Sequence, residues 1–252
     1  MTHETEKEHH RLQQERHASP DVVRTRLREA VFGVQDGLIS TMGALTGIAA
    51  GTQSGETVVV AGFVILTVES LSMAAGSYLS SKSQREYLER LLREEEEEIA
   101  NEPEKERREI WEMYRSRGYT DEEIAVIAKR LMSDPKLLLE DMAHKELGIS
   151  PAALEEPLGN AFVMGTAYVA GGLVPVLPYL LLPIHAAMPL AVTGTLGVLF
   201  LFGGLKGRLV RQDWWRSGLE MLSVAGAAAL AGFVIGHLVN RWLPYGTLPR
   251  PG

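Results

Sequence analysis

The feature that most constrains this chain is a long stretch without charge. From Leu158 to Leu205 there is no Asp, Glu, Lys or Arg, and His185 is the single imidazole. A buried helix of a soluble domain needs about 10–14 apolar residues, whereas a helix that crosses a bilayer needs about 20. The stretch is long enough for two crossings, so the chain is predicted to be a membrane protein.

Charged and apolar residues are segregated along the whole sequence, although the average composition, 46% hydrophobic and 23% charged, would also suit a soluble protein. Apolar runs of crossing length occur before and after a charged segment. Pro183 and Pro189 mark a turn inside the uncharged stretch. The pattern predicts an all-α fold, a five-helix transmembrane bundle with an inserted helical domain. The predicted crossings are 30–51, 57–79, 158–182, 186–205 and 219–243.

Basic residues give the predicted orientation, because loops rich in Lys and Arg stay on the cytoplasmic side. They cluster before the first crossing, after the second and between the fourth and fifth, and these three regions agree. The N-terminus and the inserted domain are therefore expected in the cytoplasm and the C-terminus on the far side. The basic residues are Arg24, Arg26, Arg28, Lys82, Arg85, Lys206, Arg208, Arg211 and Arg216.

The domain organisation follows from these crossings. Residues 1–28 form a polar tail with four histidines and no apolar segment typical of a secretory signal. Two crossings occupy 29–80, and an acidic helical domain occupies 81–156. Three further crossings occupy 157–244, and 245–252 form a short tail.

Local signals divide the acidic segment into four helices. The first continues from the second crossing and is broken at Pro103, and the second ends at Gly118. Thr120 and Glu123 have the spacing of a capping box, which predicts the start of the third. Asp134 followed by Pro135 predicts the start of the fourth, which ends near Gly148.

Two pairs of glutamates flank the break at Pro103: Glu95 with Glu98, and Glu106 with Glu109. Members of a pair are three residues apart and share one helix face. If the second helix folds back on the first, four carboxylates converge, and they repel one another unless a cation lies among them. The alternative is a solvated surface on which nearby arginines pair locally with the glutamates. Those arginines are Arg90, Arg93, Arg107 and Arg108.

Two further carboxylates lie within the first two crossings. Asp36 is in the first and Glu69 is in the middle of the second. An ionisable side chain costs at least about 2.5 kcal/mol at a bilayer centre and usually faces a bundle interior or an ion pathway. Met42 and Met73 lie nearby, and their thioethers are either metal ligands or packing groups. The alternative for the acids is hydrogen-bonded packing or contact with water at the interface.

Gly43, Gly47 and Gly51 are spaced by four in the first crossing, which allows close helix approach, within one subunit or between two. The chain has no cysteine, so thiolate sites and disulfides are excluded. Carboxylates with a few methionines and histidines suit Fe²⁺, Mn²⁺ or Zn²⁺ better than Cu⁺.

Four segments, DGLISTMGALTGIAAG, LSMAAGSYLSSKSQRE, PEKERREIWEMYRSRG and LEDMAHKELGIS, resemble the vacuolar iron transporter family in sequence and in order. The resemblance runs from about Arg28 to Leu243. It implies five transmembrane helices, a homodimer with the pathway at its interface, and export of Fe²⁺ from the cytosol against protons. It also implies that the cytoplasmic domain collects metal.

Matched by position, the resemblance implies pathway roles for Asp36 and Met73. It implies metal ligands at Glu95, Glu98, Glu106, Glu109, Met142 and Glu146. Three positions depart from the family pattern: Ala143 where a second Met is expected, Ser77 where many members have Glu, and Glu69 where relatives are often small. The pathway role of Glu69 therefore rests on the physical argument alone.

The predicted function is a divalent metal transporter, for Fe²⁺ or Mn²⁺, that exports metal from the cytosol by proton antiport. It is not expected to be an enzyme, to carry a prosthetic group or to bind nucleic acid. Its expected partners are a second copy of itself, the lipid bilayer, metal ions and protons. Its membrane is expected to be the plasma membrane in a prokaryote, or that of a vacuole or other organelle in a eukaryote.

Two alternatives from other classes remain at this point. A membrane-anchored di-iron ferroxidase would need two Glu-x-x-His motifs, and the chain has only the related Asp141-Met-Ala-His144. A metal-sensing membrane protein would keep the acidic domain but would not need acids within the crossings.

Overall fold

A computed structural model describes residues 20–146, 148 and 156–242 of the chain. This part is helical, with short connections and no strands. The predicted N-terminal histidines and the 245–252 tail lie outside the described residues. The helices are α1 Pro20–Thr52, α2 Gly55–Asn101, α3 Pro103–Ser116, α4 Asp121–Leu131, α5 Pro135–Lys145, α6 Pro157–Leu181, α7 Ile184–Leu209 and α8 Trp214–Trp242.

The described residues fall into two compact units. One contains the described residues of Met1–Thr25 and Leu79–Pro157, and the other contains those of Arg26–Tyr78 and Leu158–Gly252. The first holds the charged end of α2 with α3 to α5, and is here called the helical unit. The second holds most of α1, the apolar part of α2 and α6 to α8, and is here called the membrane unit.

The helices of the helical unit begin where the local sequence signals predicted. Pro103 occupies the first turn of α3, where its missing N–H costs nothing. The capping box is present in full: the Thr120 side chain accepts from the Glu123 backbone, and Glu123 accepts from the Thr120 backbone. The Asp134 carboxylate accepts from the backbone N–H groups of Lys136 and Leu137 and caps α5.

The helical unit has its own hydrophobic core. Ile110 and Tyr114 of α3 pack with Ile124 of α4 and Leu138 of α5, and each is at most 5% exposed. Ile99 near the end of α2 packs against the same core. The chain therefore reverses direction at Pro103, and α3 lies against α2 as the glutamate hypothesis required.

Among the described residues of the membrane unit, four helices are long and apolar enough to cross a bilayer: α2, α6, α7 and α8. They overlap four of the predicted crossings, whose ends do not coincide with the helix ends. The remaining one, 30–51, lies in α1, which is not among the four, because Gln35, Asp36 and several threonines lower its hydropathy. The crossing by α1 stays a prediction.

The glycine stripe of α1 meets α8 of the same chain rather than a second subunit. A Cβ atom added to Gly232 would lie 2.1 Å from the Gly43 carbonyl oxygen, and one added to Gly236 would lie 2.0 Å from that of Gly47. These distances leave no room for a side chain. The spacing by four therefore predicted a close helix approach correctly, but it did not predict that the partner would be α8.

Some helix boundaries differ from the sequence prediction. α1 begins at Pro20, so residues 20–28, assigned to the polar tail, are helical. Pro183 precedes α7 as expected, but Pro189 lies inside that helix and does not end a turn. It falls close enough to the helix start that few intrahelical hydrogen bonds are lost. Pro175 and Pro178 lie within a continuous α6.

Candidate metal site and pathway residues

Two of the predicted ligands, Glu95 on α2 and Glu106 on α3, are buried. Glu95 is 6% exposed and Glu106 is fully buried. Their positions follow from the chain reversal at Pro103, which turns this face of α3 toward α2. Glu is almost never fully buried unless it is paired, so these side chains need a specific explanation.

Three oxygens of these carboxylates have no hydrogen-bond partner. They are Oε1 of Glu95 and both Oε1 and Oε2 of Glu106. Leaving a buried polar group unpaired is unfavourable, and leaving a buried charge unpaired is much more so. The surroundings of the two carboxylates therefore favour binding of a proton or a cation.

The acidity of both groups reflects this environment. Burial, and then repulsion from the neighbouring carboxylate Glu106, raises the pKa of Glu95 to about 7. Burial, and then repulsion from Glu109, raises the pKa of Glu106 to about 7. Burial, followed by repulsion from Glu109 and Glu98, also raises the pKa of Glu146, which follows the last residue of α5. These interactions bring five of the six predicted ligands into one electrostatic cluster, here called the glutamate cluster: Glu95, Glu98, Glu106, Glu109 and Glu146.

A lysine that the sequence reading did not weigh lies beside this cluster. The Lys105 ammonium donates to the Glu98 carboxylate, and it lies 3.7 Å from Oε1 of Glu109. Two of the converging glutamates, Glu98 and Glu109, therefore have a basic partner within the protein. Lys105 and Glu98 are seven residues apart across the break at Pro103, so the spacing rules for a single helix could not pair them.

The alternative of a solvated surface fails for Glu95 and Glu106, because both side chains are buried. Arg90 pairs with Glu94, which is not a predicted ligand. Within the described ranges, none of the four arginines forms an ion pair with the glutamate cluster. In the same ranges no three His, Asp or Glu side chains are close enough to ligate one ion as they stand. Binding a metal at the cluster therefore requires side chains to move.

Met142, the sixth predicted ligand, is fully buried in the hydrophobic core of the helical unit, with Ala143 beside it. Its observed contacts are those of packing, and its role as a ligand stays a prediction. Asp141 is already engaged: it accepts from the Tyr114 hydroxyl at 3.0 Å and pairs with Lys145. Because this carboxylate has its own cation, the related Asp-x-x-His motif is poorly placed to form half of a di-iron site.

Asp36 and Glu69 both belong to the membrane unit, and their roles in a pathway stay predictions. Their carboxylates lie close enough for electrostatic repulsion. Asp36 is half-buried, whereas Glu69 is exposed on the surface of the single chain. A carboxylate exposed at mid-crossing is costly against lipid.

Tyr168 on α6 is a further residue of this site that sequence reasoning missed. It is fully buried and interacts electrostatically with both acids. Ser40 gives its hydroxyl hydrogen to the Asp36 carbonyl oxygen at 2.7 Å. The Tyr168 hydroxyl, 2.8 Å from Ser40 Oγ, is therefore the donor in that pair. A tyrosine in an apolar helix gave no local signal of this contact.

The two methionines of the predicted pathway lie in different places. Met42 is 1% exposed and packs with Leu199 and Met221 in the core formed by α1, α7 and α8. Met73 is partly buried against the core that contains Tyr168. Of the two, Met73 is the one associated with a residue of the acidic site.

Glu29 on α1 is a second residue that the sequence reading missed. It is 7% exposed and accepts a hydrogen bond from Ser77 of α2 at 2.9 Å. Arg28 is 3.3 Å from its other oxygen. Ser77, which contacts Glu29, is the position at which many family members were expected to have a glutamate. The available signal was the spacing of seven between Glu29 and Asp36, which places both on one face of α1.

These features define an α-helical integral membrane protein with acids in its apolar helices and a helical unit whose buried carboxylates are short of partners. The chain belongs to the VIT family, whose model matches residues 27–237. It is 32% identical to "Vacuolar iron transporter 1" of Arabidopsis thaliana over 85% of this chain and 86% of that protein. It is 33% identical to "Vacuolar iron transporter 2" of Oryza sativa subsp. japonica, over 85% and 87%. It is 27% identical to "Protein CCC1" of Saccharomyces cerevisiae, over 85% and 69%.

The resemblance read from the motifs is thereby confirmed. The family is one of transporters, so the chain is classed with transporters and not with enzymes.

Proposed function

We propose that this protein exports Fe²⁺ or Mn²⁺ from the cytosol in exchange for protons. The glutamate cluster receives the metal, and Asp36, Glu69 and Met73 conduct it across the bilayer. Relatives named "Vacuolar iron transporter" support iron as the cargo. The observation that carries the cytosolic site is the set of three buried, unpartnered carboxylate oxygens on Glu95 and Glu106.

The donor set suits this cargo. Carboxylate oxygens bind hard and borderline divalent ions, and the lack of cysteine argues against a copper carrier. With pKa values of about 7, Glu95 and Glu106 exchange a proton for metal near cytosolic pH. Clustered negative charge also raises the local concentration of cations at the site.

The pathway is proposed to form in a homodimer. Glu69 is exposed on one chain and lies on α2 among exposed apolar residues, each more than half exposed. A second copy packed on this face would remove both the carboxylate and the apolar side chains from lipid. α1 would then be the fifth crossing, lined by Asp36, with the helical unit in the cytoplasm. The apolar residues are Val60, Val64, Val68 and Leu71.

Transport is tested with the full-length protein in proteoliposomes that contain a metal-quenched dye, with Fe²⁺ kept reduced or with Mn²⁺. An acidic interior should drive metal inward through molecules whose helical unit faces outward. Asp36→Asn should abolish this flux, whereas Glu56→Gln, an exposed acid in the first turn of α2, should leave it unchanged. Full flux in Asp36→Asn would remove Asp36 from the pathway, and equal flux without the pH gradient would remove the proton coupling.

The cytosolic site is tested in the same assay at varied metal concentration. Glu106→Gln should raise the concentration needed for half-maximal flux while leaving the maximal flux near that of the wild type. Glu104→Gln changes an exposed glutamate on the same helix and serves as the matched control. An unchanged concentration dependence in Glu106→Gln would contradict a role of this cluster in collecting metal.

A further inference from the structure

Lys105 is placed where a bound cation would be expected. It is on the first turn of α3, and its ammonium contacts Glu98 on α2 and Glu109 one turn further along α3. It therefore links the two helices that carry the glutamate cluster. Each of its two partners is a predicted metal ligand.

The influence of this lysine extends beyond its direct contacts. Its positive charge opposes the repulsion felt by Glu106 and by Glu146. The oxygens of Glu106 nevertheless remain without a hydrogen-bond partner. Lys105 thus balances the negative charge of the partly exposed Glu98 and Glu109 by direct contact. It makes no such contact with the buried Glu106.

We infer that Lys105 is a tethered competitor of the metal: its ammonium, which lies between Glu98 and Glu109, is displaced when a divalent cation enters the cluster. This inference rests on the proposed function of the cluster as a metal site. It assigns to Lys105 the control of metal affinity, with no role in the chemistry of transport.

The chemistry of the side chain fits this role. An ammonium is a compact point charge on a flexible stem, so it can leave without a change of the helices. The Lys105 side chain is 37% exposed, which gives it access to water when it is displaced. A divalent ion interacts about twice as strongly as a monovalent one with the same carboxylates at equal distance. Coulomb attraction to the carboxylates therefore favours a divalent ion over the ammonium and gives a monovalent ion no such advantage.

The inference is tested by equilibrium binding of Mn²⁺ to the purified full-length protein, with free Mn²⁺ measured by electron paramagnetic resonance. Lys105→Gln should tighten binding on the order of tenfold, since it removes the competing charge. Arg108→Gln, an exposed change of the same charge on the same helix, should alter affinity by less than about twofold at physiological ionic strength. Lys105→Arg keeps the competing charge and should bind no more tightly than the wild type.

The displacement itself is measured by brief acetylation of lysines followed by mass spectrometry. Saturating Mn²⁺ should increase the labelling of Lys105, with the exposed Lys129 of α4 as the internal reference. Unchanged labelling would overturn the inference.

The binding results separate two failures. Measurable Mn²⁺ binding with equal affinity in the wild type and Lys105→Gln would overturn the role of Lys105 and leave the metal site standing. Absence of binding in both proteins would overturn the metal site and the role of Lys105 together.

Discussion

Ser77 of α2 donates a hydrogen bond to the carboxylate of Glu29 on α1, with 2.9 Å between Ser77 Oγ and Glu29 Oε2. Glu29 is nearly inaccessible, so this serine supplies one of the few donors that the buried carboxylate has. The contact ties the beginning of the membrane part of α1 to α2. A carboxylate is thus present at this place although position 77 itself lacks one.

Replacing Ser77 by Ala should lower the free energy of unfolding. The change leaves a buried carboxylate oxygen without its donor, at a cost of about 1–3 kcal/mol. Thermal unfolding of the protein in detergent measures the effect. Ser72→Ala, an exposed serine on the same helix, is the control and should have a midpoint near that of the wild type. Equal midpoints in the two variants would mean that the Ser77–Glu29 bond does not contribute.

Stability of the metal-free helical unit should fall as the pH rises. Glu95 and Glu106 have a folded pKa of about 7, raised from 4.5. The folded state binds their protons more tightly than the unfolded state does, so their contribution is complete below pH 4.5 and is lost as the pH rises through 7. Glu106→Gln removes one ionisation and should stabilise the metal-free unit at pH 8 relative to the wild type, by on the order of 1–3 kcal/mol.

This difference is measured by hydrogen exchange of peptides from 103–146 in the full-length protein. Wild type, Glu106→Gln and Glu104→Gln are compared at the same pH, so intrinsic exchange rates cancel. Glu106→Gln should be more protected from exchange than the wild type at pH 8, and the two proteins should be equally protected at pH 5. Greater protection at both values would point to a packing effect unrelated to ionisation.

Metal binding should release protons in a pH-dependent manner. At pH 6, Glu95 and Glu106 are largely protonated and must lose protons to ligate a cation. At pH 8.5 they are already ionised, so fewer protons leave per metal. Calorimetric titration with Mn²⁺ in buffers of different ionisation enthalpy gives this number. Glu106→Gln should release fewer protons at pH 6, and a proton count independent of pH would contradict the assignment.

Gly232→Ala should destabilise the membrane unit strongly. The added methyl group would lie 2.1 Å from the Gly43 carbonyl oxygen, so the two helices must separate. Overpacking of this kind costs typically 1–3 kcal/mol or more. Gly226→Ala on the same helix meets no atom within 4 Å and should be tolerated, as measured by thermal unfolding in detergent. Equal behaviour of the two variants would argue against a tight α1–α8 crossing.

Sequence reasoning was most successful where the signal is local. Pro103, the Thr120–Glu123 box and Asp134 each act on the backbone within one turn, so the sequence predicted the helix ends of the helical unit. It also identified two glutamate pairs on either side of Pro103, because a break at that position allows the second helix to fold back on the first.

It was least successful where a partner comes from elsewhere in the chain. The pairing of Lys105 with Glu98 depends on how α3 lies against α2, and the hydrogen bond from Tyr168 to Ser40 joins two helices far apart in sequence. The helix that packs on the α1 glycines could not be predicted for the same reason. A stripe of small residues predicts close approach of another helix but does not identify that helix.

The crossing of α1 and α8 consists of main chain against main chain, with carbonyl oxygens of Gly43 and Gly47 facing Gly232 and Gly236. No side chain intervenes, so the separation of the two helices is fixed by the thickness of the polypeptide itself. Substitutions on the outer surfaces of these helices should therefore leave that spacing unchanged. Asp36 is on the same helix as Gly43 and Gly47. Its position relative to α8 is therefore set by backbone contacts and does not depend on side chains at the outer surface.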